Sequence, residues 1–359
     1  MTIDRSCGPE GCQLDWLVSP KLEVDADPVA FAKFATDAGW GDGLPLVPPT
    51  EARVREHVAA SGRFPDDVLG DLPPRNGCCT VEKVAINAVM AGAPAEAMPL
   101  LCAAIEAMTD KEVNLFALNT TTCCVIPGVF VNGPARHALG IPYGAGCFGG
   151  QAGPAPAIGR AIRLVMRNVA GQVVGITSKS VFGQPARVTG IVVAEWEERS
   201  PWAPLGERRG VPGNALTIKD VTGTIDVADI TAQDGVDLLE IIGKSLAFPG
   251  TNAFIGGDGG EGEIMVCIAP PWADRIAADY PVIEDVQRQL ALHAALPLSW
   301  WPAPHRKRLE ECGRVDARGM VPLVARPDQM IVMVCGGLGN LHALALHSFG
   351  PTRAVTRPF

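Results

Sequence analysis

The chain carries eleven cysteines, and several stand where a thiol would react rather than merely pack. Cys78 and Cys79 are adjacent, directly before a helical pattern that Thr80 would cap. Cys123 and Cys124 are adjacent at the start of an apolar run, and Cys147 lies alone in the glycine-rich stretch YGAGCFGGQAGP. The positive end of a helix macrodipole stabilises a thiolate, so Cys78 and Cys79 are expected to be reactive at neutral pH. Neighbouring side chains on a strand point to opposite faces, so at most one of Cys123 and Cys124 is expected to face any given site. Cys102, Cys267, Cys312 and Cys335 sit in apolar or helical runs and read as small buried hydrophobes.

A further pair, Cys7 and Cys12, frames the sequence SCGPEGC. Thiol–disulfide exchange requires a thiolate to collide with an accessible sulfur, and a Gly/Pro hinge on a flexible arm permits that collision. Cys7 and Cys12 therefore read as a shuttle that resets an internal disulfide.

Groups that could assist these thiols recur along the chain. The helix TVEKVAINAVMAG places Glu82 at its start, with Lys83 and Asn87 four apart on one face, able to orient an oxyanion. Gly149 and Gly150 lie in a loop whose backbone N–H groups could converge on an anion, and Arg160 follows on the next helix. Asn132 stands in VNGP. Gly337, Asn340 and His342 belong to GGLGNLH, where successive glycines form a backbone nest and His342 would carry protons. The loop matches neither a phosphate-loop nor a dinucleotide fingerprint, and no HExxH, GxSxG or paired CxxC signature occurs.

Four apolar runs that end in Gly, Pro or polar residues are expected to be buried strands delivering loops to a shared edge: 123–134, 187–198, 263–272 and 329–340. Helical patterns cover about 28–38, 50–60, 81–92, 95–108, 156–168, 235–247 and 282–295. The alternation indicates an α/β protein, with mixed or mostly parallel sheets and helices on their faces. The helix–strand–helix order of 94–140 is echoed at 235–280, where PPWADRIAAD follows its strand as NGPARHALG follows the first. That echo suggests two related lobes with a cleft between them. The expected division is a flexible arm at 1–27, a first lobe at 28–200 and a second at 201–359.

With 47% hydrophobic residues and a mean hydropathy of +0.18, the chain of 359 residues can bury a large core. Its net charge of −9 and lack of a long basic run argue against nucleic acid as a partner. No membrane-spanning run or export signal is evident, so a cytoplasmic protein with reduced thiols is expected, as a monomer or a homo-oligomer.

In GWGDGLPLVPPTEARV, TVEKVAINAVMAG, VNGPARHALGI with IGRAIRLVMRNV, and the closing GGLGNLH and VTRP, the chain resembles a bacterial family. That family is associated, as neighbour or fusion partner, with the selenoprotein-like proteins named after a U-G-S-C motif. The resemblance spans about 40–359 and implies an α/β protein in a thiol or selenol context, without supplying a reaction.

These features lead to a cysteine-dependent enzyme acting on a small anionic organic substrate. Either Cys78 or Cys79 would be the nucleophile, and Cys123, Cys124 or Cys147 the resolving partner. Cys7 and Cys12 would exchange with a thioredoxin-like reductant or a UGSC-type partner, and no cofactor would be needed. One alternative is a lyase or hydratase in which Cys78, Cys79, Cys123, Cys124 and Cys147 gather around zinc, copper or an iron–sulfur cluster. The other is an accessory subunit that delivers metal.

Overall fold

The computed structural model describes residues 17–25, 27–254, 262–350 and 352–359. Cys7 and Cys12, and with them the exchange reading of the arm, lie outside these residues.

The chain opens with helices α1 (Pro28–Asp37) and α2 (Glu51–Ala60), then a hairpin of β1 (Val68–Leu72) and β2 (Gly77–Thr80). Helices α3 (Val81–Ala91), α4 (Met98–Met108) and α5 (Leu115–Thr120) lead into β3 (Ile126–Asn132). Thr80 caps α3 as expected, its hydroxyl accepting from Lys83 N at 3.4 Å. Short α6 (Ala135–Ala138), long α7 (Ala155–Asn168) and short α8 (Ala186–Thr189) connect to β4 (Ile191–Ala194). After α9 (Leu205–Arg208) come β5 (Ala215–Val221), β6 (Thr224–Ala228), α10 (Gly235–Leu246) and β7 (Ile264–Ile268). Helices α11 (Pro270–Asp279) and α12 (Ile283–His293), strand β8 (Ala295–Pro297), helix α13 (Ala303–Glu311) and strand β9 (Met320–Pro322) precede β10 (Met330–Val334), β11 (His342–Leu346) and β12 (Val355–Pro358). No helix among the described residues is long and apolar enough to cross a membrane.

Two four-stranded sheets organise the molecule, one in the order β12-β5-β3-β4 and the other β10-β7-β11-β6. Each is built the same way. A central strand (β3, β7) has a parallel neighbour on one side (β4, β10) and an antiparallel one on the other (β5, β11), beyond which lies a second antiparallel strand (β12, β6). The sequence echo therefore has a structural counterpart. The second sheet takes its outer strand from just before its own helix, whereas the first receives β12 from the end of the chain. The 200/201 division does not separate the sheets, because β5 and β12 complete the sheet that β3 begins.

The period of two along each buried strand sorts side chains into layers. Val129 and Val131 of β3 join Leu216 and Ile218 of β5 against α3, α4 and α7. Val266 and Val332 pack with Leu239, Trp272 and Leu290 of the helices over the second sheet. Phe130, Val193, Met265, Met333 and Leu346 meet between the sheets. The molecule is thus a helix–sheet–sheet–helix sandwich. Where a cleft between lobes was expected, the inner sheet faces close on each other as apolar core.

Helix α7 approaches the α8–β4 turn so closely that Gly159 has no room for a side chain. An ideal Cβ there would fall 2.2 Å from Thr189 O and 3.0 Å from Gly190 Cα. Gly159→Ala should therefore destabilise the fold by about 1–3 kcal/mol, despite a helix propensity gain of up to about 1 kcal/mol. Thermal unfolding checks this; an unchanged or higher Tm would contradict it.

Candidate functional site

The cysteines of the described residues are all free thiols; Cys312 stands apart and is exposed at the end of α13 instead of buried as expected, and the others fall into three groups rather than one. In β2, Cys78 and Cys79 pair with Asp71 and Gly70 of β1 and point to opposite faces. Cys79 is buried near Cys102, and burial pushes its thiol up to about 12. The helix-start field expected to activate Cys79 is thus outweighed by desolvation. Cys78 is exposed, and its carbonyl accepts from Lys83 Nζ at 2.6 Å.

Cys147, Cys267 and Cys335 meet between the sheets toward the C-terminal ends of the parallel strands. The hydrogen bond with Cys335, then burial, raises the Cys147 thiol far above its ordinary range. The loop that holds Cys147 does join the GGLGNLH segment: Gly336 N donates to Tyr143 O at 2.8 Å, and Gly337 lies against Ala145. Gly149, Gly150, Asn340 and His342 are exposed around this edge, with His342 Nδ1 3.2 Å from Asp226 Oδ1. Among the described residues, no group of three or more His, Cys, Asp or Glu side chains is placed to hold a metal ion.

The third group is Cys123 and Cys124, both half-buried. They precede β3 in an irregular bend instead of lying on the strand, so the expected opposite orientation does not hold. Burial first, and then the charge of Cys124, raise the Cys123 thiol. Asn252 Nδ2 donates to Cys123 Sγ at 3.4 Å, and Cys124 Sγ donates to Thr222 O at 3.0 Å. Arg187 supplies the nearby cation. Its guanidinium donates to Ser178 Oγ at 2.9 Å, Cys123 O at 3.3 Å and Val125 O at 3.2 Å, and its Nε is buried without a partner among the described residues. Burial lowers the pKa of Arg187 and the two thiol groups oppose that shift, so a thiolate here and the guanidinium favour each other.

Behind this pair the ends of β5 and β11 hold a buried polar cluster. Thr222 N donates to His347 O at 3.0 Å. His347 Nε2 sits 2.7 Å from Leu246 O, which places the ring proton on Nε2 and leaves Nδ1 a buried acceptor without a partner among the described residues. Burial lowers the His347 pKa, with Lys219 acting in the same direction. Lys219 is fully buried, donates to Asp220 O at 2.7 Å and stands 3.6 Å from Asp220 Oδ1. Sequence reasoning passed over Lys219, Arg187 and Asn252, and it read His347 as part of a helical pattern, whereas His347 directly follows strand β11.

Two residues nominated as substrate contacts are engaged elsewhere. Arg160 grips Asp42 through Nε and Nη2, each at 2.7 Å, and donates to Pro45 O and Leu44 O. Burial raises the Asp42 carboxyl, but the Arg160 hydrogen bond and charge, with backbone donors, bring it below its ordinary value. Asn132 donates to Glu195 at 2.7 Å and Glu197 at 3.0 Å and accepts from Gly206 N, so it braces the far edge. Glu195 is fully buried there, and burial raises its carboxyl.

Glu82 and Asn87 instead line a cavity of about 1080 Å³. The motif GWGDGLPLVPPT contributes Trp40, Pro48, Pro49 and Thr50, and α3 contributes Glu82, Ile86, Asn87 and Met90. Segment 17–24 forms another wall, tied down by Val18 N and Ser19 N donating to the buried Glu82 carboxylate, both at 3.0 Å. Asn87 Oδ1 accepts from Asn168 Nδ2 at 2.8 Å. The expected shared face of Lys83 and Asn87 is therefore divided, with Lys83 reaching back to Cys78 and Asn87 turned to the cavity.

Comparison with protein-family models, curated proteins and solved structures found no match.

Proposed function

We propose that the protein is a cysteine-dependent enzyme that reduces a small anionic organic substrate bearing an electrophilic sulfur, with Cys123 and Cys124 as the reacting dithiol. One observation carries this reading: two half-buried thiols lie side by side against the Arg187 cation, whereas Cys79, Cys102, Cys147, Cys267 and Cys335 are sealed in core. In the first step one thiolate attacks a substrate disulfide. An S–S bond forms to the protein, the substrate S–S bond breaks, and one half leaves as a thiolate that takes up a proton. The neighbouring thiolate then attacks the protein sulfur of the mixed disulfide and releases the second half. The pair ends as a disulfide, having passed two electrons and two protons to the substrate. A thioredoxin-like dithiol returns them, directly or through Cys7 and Cys12.

Dithiodiglycolate, a small anionic disulfide, tests the proposal with dithiothreitol as reductant. Catalysed reduction should fall at least a hundredfold in Cys123→Ser and in Cys124→Ser, and persist in Cys78→Ser. Because burial and Cys124 hold the Cys123 thiol above its ordinary value, the rate should still climb as pH passes about 8.5. Phenylarsine oxide, which bridges paired thiols, should bind a Cys7→Ser/Cys12→Ser protein and lose that binding when Cys124→Ser is added. Retained turnover in Cys124→Ser would overturn the assignment.

A further inference from the structure

We infer that the cavity between segment 17–24 and α3 is a binding site for an organic anion, a carboxylate or phosphate carried on a flat apolar body. Its volume of about 1080 Å³ lies just above the usual range for small-molecule sites. Trp40, Phe31, Ile86 and Met90 supply apolar walls, and polar groups converge from three separate elements.

The cations decide the charge of the occupant. Arg75 lines the cavity, and among the described residues its guanidinium has no hydrogen-bond or ion-pair partner; it lies over Gly171, whose ideal Cβ would fall 2.9 Å from Arg75 Nε. Among the described residues Arg167 donates only through Nε, to Gly39 O at 3.0 Å, which leaves its two terminal amino groups open to a ligand there. Two of the three acids of the lining are occupied by other groups. Glu82 is held by the N–H groups of Val18 and Ser19, and Glu51 by Lys21 and Arg55 at 3.0 and 2.5 Å. Glu23 is exposed on segment 17–24. Two guanidinium groups with unused donors line the same cavity as the Asn87–Asn168 amide pair, and such forks match the paired oxygens of a carboxylate or phosphate.

This site is separate from the dithiol, which does not line the cavity. One wall residue, Val173, is linked toward it: its carbonyl accepts from Ser178 N, and Ser178 Oγ accepts from Arg187.

Calorimetric titration with 2-naphthoate and its neutral isostere 2-naphthamide tests the inference. Naphthoate should bind at least tenfold more tightly, and Arg75→Gln/Arg167→Gln should erase the difference by weakening naphthoate to the affinity of naphthamide in a chain that still folds. Ile86→Trp, which fills the cavity, should weaken both ligands. A Cys123→Ser/Cys124→Ser protein should bind naphthoate like the natural chain, so failure of the dithiol reading leaves this result intact. Equal affinities for the two ligands, or a preference that survives the double arginine variant, would overturn it.

Discussion

Lys219→Met should lose about 3–5 kcal/mol of folding stability at pH 7.5, the loss typical of breaking a buried ion pair by removing one partner. Lys219 is fully buried, Asp220 and Glu263 are buried beside it, and among the described residues no other cation is fully buried with them. Burial raises the Glu263 carboxyl, and the charges of Arg209, Lys219 and Arg353 are among the influences that pull it back. Removing Lys219 raises it further. A carboxyl whose folded pKa exceeds its unfolded value of about 4.3 favours the fold below that value and loses the contribution as pH rises through the folded pKa. The variant should therefore recover part of its deficit at pH 5. Urea unfolding at both pH values measures this, and an equal or larger deficit at pH 5 would sink the electrostatic account.

Removing residues 355–359 should cost about 5 kcal/mol, a sum of one buried valine at about 1.5–3 kcal/mol and several hydrogen bonds at about 1 kcal/mol each. The deletion strips β12 from β5, where Val355 faces Ile218 and Thr356 faces Thr217. It also leaves Arg209 without Thr356 Oγ1, held at 2.7 Å, and Asp110 without Arg357, held at 2.8 Å. A deficit of that size consumes much of the roughly 5–15 kcal/mol that holds a domain folded. The truncated chain should unfold at far lower denaturant concentration, with the loss first seen in amides of β3 and β5 by hydrogen exchange. A midpoint within error of the full chain would show that the strand is dispensable.

The strands legible in the sequence were those whose surroundings are apolar on both faces. β3, β4, β7 and β10 fall inside the four apolar runs, because a strand buried between helices and a second sheet needs hydrophobic residues throughout. β5 escaped notice because ALTIKDV carries Lys219 and Asp220, which read as surface residues, and only the fold reveals that both are buried. Helices were visible through their caps and periodicity, as at Thr80.

The site was legible in part. Residue type singled out Cys123 and Cys124, but whether their sulfurs meet depends on a bend that adjacency alone does not disclose. Arg160 looked available because its partner, Asp42, lies 118 positions away. The same distance problem hid the cavity: two segments that stand out separately, GWGDGLPLVPPT and TVEKVAINAVMAG, turn out to wall one space.

The late arrival of β12 has a temporal side. About 130 residues separate the end of β5 from its outer neighbour, so at a synthesis rate of about 5–20 residues per second the bare edge of β5 waits on the order of ten seconds beside the ribosome. During that interval an open strand edge is a template for any passing chain, which makes this half of the molecule a natural client for chaperones that shield nascent polypeptides.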